Sequence, residues 1–301
     1  MKKGLHFPAK ISVLQLNLYI CALYFMAEKS DATKPGAEMS FLDHLEALRW
    51  HLVRSAIAIA VLGVGLFFMK DLLFDTILLG PKHLDFWTYR MMCRLSHLLN
   101  AGDDLCITKI PFTLINTELS GQFTMHMWIA FVGGLILSFP YILWEIWRFI
   151  KPALKENERT NTRGFVFFAS VLFITGVVFS YYMIVPMTIN FLGSYQVSAD
   201  ISNTITMDSY ISTVTTLTLA TGLVFELPIV VYFLTRFGII SPAFMRTYRR
   251  HAIVVILIVG AVITPSPDIS SQLLVSIPLY ILYEASIFVS RYVEKSKLRK
   301  G

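Results

Sequence analysis

Long apolar runs separated by polar connectors dominate the chain. Six runs are apolar enough to be interpreted as membrane-crossing helices, at residues 52–69, 123–150, 165–186, 211–233, 251–263 and 269–289. A bilayer core is about 30 Å thick, and a helix needs roughly 20 apolar residues to cross it. The runs also lack the apolar–polar alternation of barrel strands. The pattern predicts an all-α polytopic membrane protein with six transmembrane helices.

The charged residues are few, and their placement indicates topology. Of 301 residues only 15% are charged, against about 25% in soluble domains, which excludes a soluble globular enzyme. The net charge is +6, from 26 Lys plus Arg and 20 Asp plus Glu. These basic residues lie between the apolar runs and form no single patch, so we expect no nucleic-acid partner.

Basic connectors alternate with connectors that lack Lys and Arg, and this alternation predicts the orientation. Connectors 193–210 and 264–268 contain neither residue, whereas the connectors after the second and fourth runs and the C-terminal tail are basic. With six spans, the positive-inside rule places both termini in the cytoplasm. Connector 70–121 is predicted to be external although it is basic, because charge counts little in long connectors.

The first 38 residues form an extension of uncertain origin. Residues 1–10 are basic and 11–26 mostly apolar, like the start of a signal peptide. A seventh span, or a cleaved signal, would conflict with the charge rule. We therefore favour translation from Met26 or Met39 over Met1, which leaves 39–301 as the membrane domain.

The last two runs are short for a bilayer. At 1.5 Å per residue, 251–263 is roughly 20 Å long, and 269–289 contains Pro278 and Glu284. Two adjacent short helices would thin the membrane locally or be shielded by a partner. Alternatively, both helices continue through polar ends that reach the interface.

Glu226 is the most unusual ionisable residue, because it lies deep within the fourth run. A carboxylate at the centre of a bilayer costs about 2.5–3.5 kcal/mol on insertion scales. Pro228 follows and predicts a kink there. Two interpretations stay open, a polar contact for a partner or substrate and a structural hydrogen bond to another span. For Glu145 and Glu284, nearer the inner ends, we favour structural contacts.

The sequence carries little evidence of catalysis. It contains no His-Glu-x-x-His, Cys-x-x-Cys, Gly-rich phosphate loop or Gly-x-Ser-x-Gly motif. We therefore predict that the protein is not an enzyme and binds no metal or cofactor. Cys93 and Cys106 both lie in connector 70–121, where an oxidising compartment would allow a disulfide that the spacing alone does not prove.

Three stretches together carry a family resemblance. They are FLDHLEALR at 41–49, LSFPYILWEIWRFIKPALKENER at 137–159, and FELP at 225–228 followed by TPSPD at 264–268 and Ser271-Gln272. With six spans and short final helices, they resemble TatC, the multispanning core of the twin-arginine protein translocase. The resemblance covers about residues 39–291, and the second stretch is its most specific part.

The resemblance implies a receptor and scaffold for protein export. TatC proteins bind the twin-arginine signal peptides of folded substrates in the bacterial cytoplasmic (inner) membrane. With TatA- and TatB-type single-span partners in a multimeric complex, they export these substrates using the proton-motive force. The family fold is a concave, glove-like helical bundle embedded in lipid. TatC proteins hydrolyse no nucleotide.

Individual positions match the family's functional residues. Glu158 matches the acid that binds the arginine pair, and Phe149 matches the aromatic residue beside it. A carboxylate accepts two hydrogen bonds from a guanidinium, which suits this role. Without the resemblance, Glu158 would be interpreted as a solvated charge beside Lys155 and Arg159. Further matches are Glu226 on the polar interior, and Asp268, Gln272 and Pro81 on the outer side.

Two features depart from the family pattern. The pattern His-Leu-x-Glu-Leu-Arg has Ala47 in its acidic position. Arg49 is kept, and the resemblance includes it among the signal-peptide-binding residues. Glu46 precedes that position, but one residue is a turn of about 100° on a helix. Asp43, one helical turn earlier, is a second candidate for the missing acid. The outer connector 70–121 is also longer than usual and would form a cap carrying Cys93 and Cys106.

Two other functional classes predict features that can be compared with the sequence. A proton-coupled secondary transporter would use Glu226 as its protonation site, but it predicts inverted repeats and broken helices in matching halves, which the sequence does not show. An intramembrane enzyme would need a nucleophile and a base at depth, and neither is found.

Overall fold

The computed structural model describes residues 41–98, 106, 112–151, 162–198, 200, 203–263 and 269–298. For residues 41–44, 95, 162–163, 269–271 and 296–298 it describes the backbone alone. The chain divides into two compact units, Met1–Ala47 and Leu48–Gly301. The described part of the first unit is the beginning of helix α1, and every contact described below lies within the second unit.

The described chain is almost entirely helical, as the apolar pattern predicts. The α-helices are α1 (Phe41–Phe67), α2 (Trp87–Leu98), α3 (Gly121–Ile150), α4 (Thr162–Phe179), α5 (Val185–Ser194), α6 (Met207–Val224), α7 (Leu227–Arg236), α8 (Pro242–Thr247), α9 (Arg249–Ile263) and α10 (Ile269–Leu298). π-Helical turns cover Leu72–Leu78 and Ser180–Ile184, and a 3₁₀ turn covers Gly80–Lys82.

Five helical stretches of the described chain are long and apolar enough to cross a membrane. They are Leu45–Phe67, Gly121–Ile150, Gly164–Ser194, Met207–Arg236 and Gln272–Lys295. They correspond to the first, second, third, fourth and sixth predicted spans. The remaining helix, α9, has 15 residues, or about 22 Å, so the fifth helix is short as predicted. The total of six crossings stays a prediction.

The sixth helix is longer than the sequence predicts. α10 has 30 residues, and its membrane-competent part has 24, so the expectation of a short sixth helix is wrong. Pro278 lies inside α10 without ending it. Proline removes one backbone donor, but in a membrane bundle neighbouring helices can satisfy the backbone carbonyl that this leaves free. Polar residues at both ends also continue the helix, which was the alternative interpretation.

The fourth span is broken where the sequence predicts a kink. α6 ends at Val224, and α7 begins at Leu227 with Pro228 in its first turn. Glu226 lies in the intervening turn, where its carbonyl accepts the N–H of Ile229 at 2.9 Å. Proline is favoured in the first turn of a helix, where its missing N–H leaves no bond unmade.

Connectors 70–121 and 193–210 are paired by a small sheet that the all-helical prediction missed. β1 (Thr113–Ile115) pairs in parallel with β2 (Thr204–Thr206), with Leu114 opposite Ile205. Three-residue strands are too short to leave a readable alternation in the sequence. The pairing brings connectors 70–121 and 193–210 together at one end of the bundle.

Polar contacts fix the connector after α1 against the third and fourth spans. Tyr210 of the fourth span donates its hydroxyl to the carbonyl of Leu78 at 2.8 Å, and Tyr181 of the third span donates to that of Ile77 at 2.6 Å. Within the connector, Tyr89 donates its hydroxyl to the carbonyl of Pro81 at 2.7 Å. Burial raises the pKa of the Tyr89 phenol, so Tyr89 remains a hydrogen-bond donor well above neutral pH. The connector is therefore a folded part of the second unit.

Candidate functional site

The C-terminal end of α3 holds a buried carboxylate that contacts α1. Glu145 is 1% exposed, and its Oε2 lies 2.5 Å from Nδ1 of His51. Its Oε1 lies 3.7 Å from a guanidinium nitrogen of Arg148, one turn further along α3. A carboxylate is costly to bury unless it is paired. The contact with His51 therefore fixes the position of α1 along α3 at this level. The structural interpretation of Glu145 agrees with this geometry.

Sequence reasoning missed His51 entirely. The two residues are 94 positions apart, and a histidine near the end of an apolar run is usually interfacial. The only available signal was the buried acid, which requires some partner on a neighbouring helix.

Phe149 lies on the same end of α3, beside this pair. Its ring packs edge-on against the His51 ring, with the centroids 6.1 Å apart. Trp147, which is buried, packs on Phe165 of α4 and Phe233 of α7, with centroids 4.7 Å and 5.8 Å away. This aromatic cluster anchors the end of α3 to α4 and α7. Phe149 is half-buried beside the cluster, at the start of the connector that contains Glu158.

The other predicted peptide-binding residues are described unequally. Glu158 lies outside the described residues, as does the side chain of Asp43. Glu46 is exposed on the first turns of α1, within the first compact unit. Arg49, in the second unit, is also exposed.

Glu226 is buried between α6 and α7, 8% exposed. Neither carboxylate oxygen has a hydrogen-bond partner among the described residues. Its neighbour Phe225 packs so closely on Gly176 of α4 that a β-carbon added to Gly176 would lie 2.7 Å from the ring. Glu226 therefore occupies a tightly packed turn, and the described part of the chain gives no support to a structural hydrogen bond.

Glu284 makes a structural contact, as expected. Its Oε2 accepts a hydrogen bond from Arg249 at 2.7 Å, and its Oε1 accepts one from the hydroxyl of Tyr280 at 3.1 Å. The pair ties the start of α9 to α10. At the other end of these two helices, Gln272 donates its amide to the carbonyl of Leu257 at 3.0 Å.

The residues predicted on the outer side lie on separate elements. Pro81 is buried in the 3₁₀ turn Gly80–Lys82, whereas Gln272 lies in the first turn of α10. Asp268 falls outside the described residues. In the structure Cys93 and Cys106 form a disulfide, with their Cα atoms 4.4 Å apart. This bond ties α2 to the following part of the outer connector.

These features define a polytopic helical membrane protein with a polar contact at one end of its first two spans. Its fourth span contains a buried acid for which the described residues offer no hydrogen-bond partner. A family model described as Sec-independent protein translocase protein (TatC) matches residues 43–278. The chain belongs to the TatC family, and it is a component of a Sec-independent, twin-arginine protein translocase.

Curated relatives cover most of the chain. It is 40% identical over 261 residues to the Sec-independent protein translocase protein TatC of Blattabacterium sp. subsp. Periplaneta americana (strain BPLAN), covering 86% of this chain and 98% of that protein. It is 35% identical over 257 residues to the TatC of Carboxydothermus hydrogenoformans, covering 85% of this chain and 94% of that protein.

Solved structures show the same fold. The structure matches a crystal structure of the twin arginine translocase receptor TatC in DDM with a TM-score of 0.62 and 31% identity, covering 82% of this chain and 99% of the other. A second crystal structure of the twin arginine translocase receptor TatC gives a TM-score of 0.58 and 28% identity, covering 83% and 99%.

Proposed function

We propose that this chain is the receptor subunit that binds twin-arginine signal peptides in the bacterial inner membrane. It hands folded substrates to an export complex formed with TatA- and TatB-type single-span partners and driven by the proton-motive force. The observation that carries the proposal is the position of Phe149. It lies at the end of α3 beside His51, directly before the connector that contains Glu158.

The chemistry of this region suits an arginine pair with apolar neighbours. Glu158 offers a carboxylate that a guanidinium binds through two hydrogen bonds. Phe149 offers a half-buried aromatic face for the apolar residues next to the pair. Glu46, exposed on α1, and Asp43 are the candidates for a second acid in place of Ala47. Arg49, exposed on α1, is proposed as a further contact of the signal peptide.

The proposed topology has both termini in the cytoplasm. The β1–β2 pairing supports it, because it joins connectors 70–121 and 193–210 at the same end of the bundle. The ends of α3 and α7 then share the opposite face, where Trp147 packs against Phe233. That face carries the basic connectors and is assigned to the cytoplasm by the positive-inside rule.

Site-specific crosslinking tests the binding site. A photoreactive twin-arginine signal peptide should crosslink strongly to the wild-type protein in inverted membrane vesicles. Glu158→Ala should reduce crosslinking at least tenfold, because one charge-assisted contact contributes about 1.5–3 kcal/mol. Glu156→Ala removes an equal charge from the same connector and should change crosslinking little.

A second pair of variants tests whether the Phe149 ring has a specific role or whether the loss of any exposed phenylalanine weakens binding. Phe149→Ala should weaken crosslinking, whereas Phe168→Ala, on the exposed face of α4, should not. Equal crosslinking for Glu158→Ala and Glu156→Ala would place the arginine site elsewhere, with Glu46 the next residue to test. Normal delivery of a cofactor-loaded twin-arginine substrate after deletion of the gene would contradict the proposed function as a whole.

A further inference from the structure

The exposed face of α2 combines two kinds of side chain along its length. Trp87, Met91 and Leu98 are about half exposed or more and lie within about 40° of one another on a helical wheel. Arg90 and Arg94 are exposed immediately beside this apolar stripe. Among the described residues, neither arginine pairs with a carboxylate. An apolar stripe bordered by arginines is the pattern of a helix lying in a membrane interface.

The opposite face of α2 fixes the helix to the third span. Thr88 is buried and donates its hydroxyl to the carbonyl of Tyr182. Tyr89 is also buried, and its hydroxyl lies 3.4 Å from the carbonyl of Pro186. Both partners are backbone carbonyls of the third span. The depth of α2 in the membrane therefore follows from the depth of Tyr182 and Pro186.

The third span gives this depth in ångströms. It begins at Gly164, directly after Arg163, and no charged residue follows until Asp200. Tyr182 and Pro186 lie about 27 Å and 33 Å along the helix from Gly164. A hydrocarbon core is about 30 Å thick. The contacts of α2 therefore fall at the far boundary of the core, although the span continues to Ser194.

Aromatic packing at this level agrees with an interfacial position. The Trp87 ring packs edge-on against Tyr182, with the centroids 5.8 Å apart, and Phe86 stacks on the same tyrosine at 5.6 Å. Tyr181 donates its hydroxyl to the carbonyl of Ile77 at 2.6 Å. Tryptophan and tyrosine are enriched at the level of lipid headgroups, because their rings are apolar and carry one polar atom.

A groove runs from the rings of Trp87 and Tyr182 towards the centre of the membrane. It has a volume of about 550 Å³ and is lined by Trp87, Thr175, Val178, Phe179, Tyr182 and Met183. Thr175 lies about 12 Å nearer the membrane centre than Met183 along the helix. The groove is thus open at headgroup level under α2 and extends along the depth that acyl chains occupy.

We propose that α2 and the third span form a binding site for an anionic phospholipid. The phosphate and anionic headgroup contact Arg90 and Arg94, and one acyl chain lies in the groove under Trp87. Charge complementarity selects the occupant, because two guanidinium groups at headgroup level, without a carboxylate partner in the described part of the chain, attract an anionic lipid. Basic pockets beside membrane helices recognise headgroups in the same way.

Native mass spectrometry of the full-length protein, purified in mild detergent, tests the headgroup contact. Phosphatidylglycerol and phosphatidylcholine with identical acyl chains are titrated separately. Wild type should retain phosphatidylglycerol preferentially. The Arg90→Gln/Arg94→Gln variant should lower its retention about tenfold to thirtyfold, as expected for two basic side chains near anionic lipid. The Lys70→Gln/Lys82→Gln variant changes the charge of the same connector equally and should lower retention less than threefold.

A second pair of variants tests the groove independently of charge. Val178→Trp fills the groove and should lower the retention of both lipids several-fold. Val171→Trp, also exposed on α4 but outside the groove, should leave retention unchanged. Equal retention of the two lipids by wild type, or equal losses in the two charge variants, would overturn the assignment and leave this face to a protein partner. Equal behaviour of the two tryptophan variants would overturn the acyl-chain site.

Discussion

The backbone of Gly63 on α1 lies directly against Gly134 on α3. A β-carbon added at Gly134 would lie 2.7 Å from the amide nitrogen of Gly63 and 2.8 Å from the carbonyl oxygen of Ile59. Small residues allow membrane helices to approach this closely, and van der Waals packing then holds them together. The first two spans are therefore joined through their backbones near the end of α1 and midway along α3, and through His51 and Glu145 nearer the start of α1.

Replacing Gly134 should disrupt this crossing. Gly134→Leu forces side-chain atoms into backbone that cannot move locally, and overpacking of this kind costs about 1–3 kcal/mol or more. We expect a clearly lower Tm in detergent. Thermal unfolding followed by tryptophan fluorescence, or by the fluorescence of a thiol-reactive dye, measures it. Gly65→Leu is the matched control, because nothing lies within 4 Å of a β-carbon there. An equal decrease in both variants would show that the close approach has no special role.

The contact between His51 and Glu145 should contribute measurably to stability. Glu145 is 1% exposed, and among the described residues His51→Ala leaves its carboxylate with the longer contact to Arg148 alone. His51→Ala should therefore cost about 2–3 kcal/mol. The pair of Arg249 and Glu284 is more exposed, with side chains 43% and 25% accessible. Arg249→Ala should cost no more than about 1 kcal/mol. Denaturant unfolding in detergent gives both values.

A double variant separates pairing from burial. His51→Leu/Glu145→Leu removes both polar groups, and replacing a buried ion pair by apolar residues is often neutral or stabilising. It should recover most of the stability lost in His51→Ala. If the double variant is less stable than the single one, the carboxylate has another partner that compensates for the loss of His51.

Glu226 should show the opposite balance between stability and function. Its two carboxylate oxygens are buried without a partner among the described residues, so Glu226→Leu should raise stability by about 1–3 kcal/mol. The same substitution should lower export if the acid serves a partner or substrate. Glu145→Leu, which leaves His51 unpaired, should lower stability instead. A less stable Glu226→Leu protein would indicate that the carboxyl is hydrogen-bonded structurally.

The sequence predicts the spans well because each is an uninterrupted apolar run. Even the break at Glu226 could be predicted, because Pro228 has no N–H to donate to the carbonyl four residues earlier in the helix. The long α10 could not, because Pro278 and the polar residues at both ends look like boundaries until neighbouring helices are known. The strand pair of Thr113–Ile115 with Thr204–Thr206 joins segments so distant in sequence that no local pattern indicates it.

The candidate site is predictable only where one residue carries its own signal. Glu226 stands out because an acid in an apolar run is rare, and the structure buries it as expected. His51 has no such signal, and its role depends on a helix packed beside it. In the sequence, Arg90 and Arg94 are two charges of a long connector, where charge carries little information about topology. Their alignment beside Trp87 follows only from the helix that the structure assigns to Trp87–Leu98.

The disulfide between Cys93 and Cys106 gives a prediction that thiol chemistry can decide. The chain as expressed from Met1 has three cysteines, so it should react with one equivalent of maleimide under denaturing, non-reducing conditions and with three after reduction. Cys93→Ser should react at two sites without reduction, whereas Cys21→Ser should react at none. Three reactive thiols before reduction would contradict the pairing. The crosslink spans 13 residues, and loops of this size gain about 3 kcal/mol from a disulfide, so Cys93→Ser should lower the free energy of unfolding by about that amount. The reduced wild-type protein should lose an equal amount of stability in denaturant unfolding, because both lack the same bond.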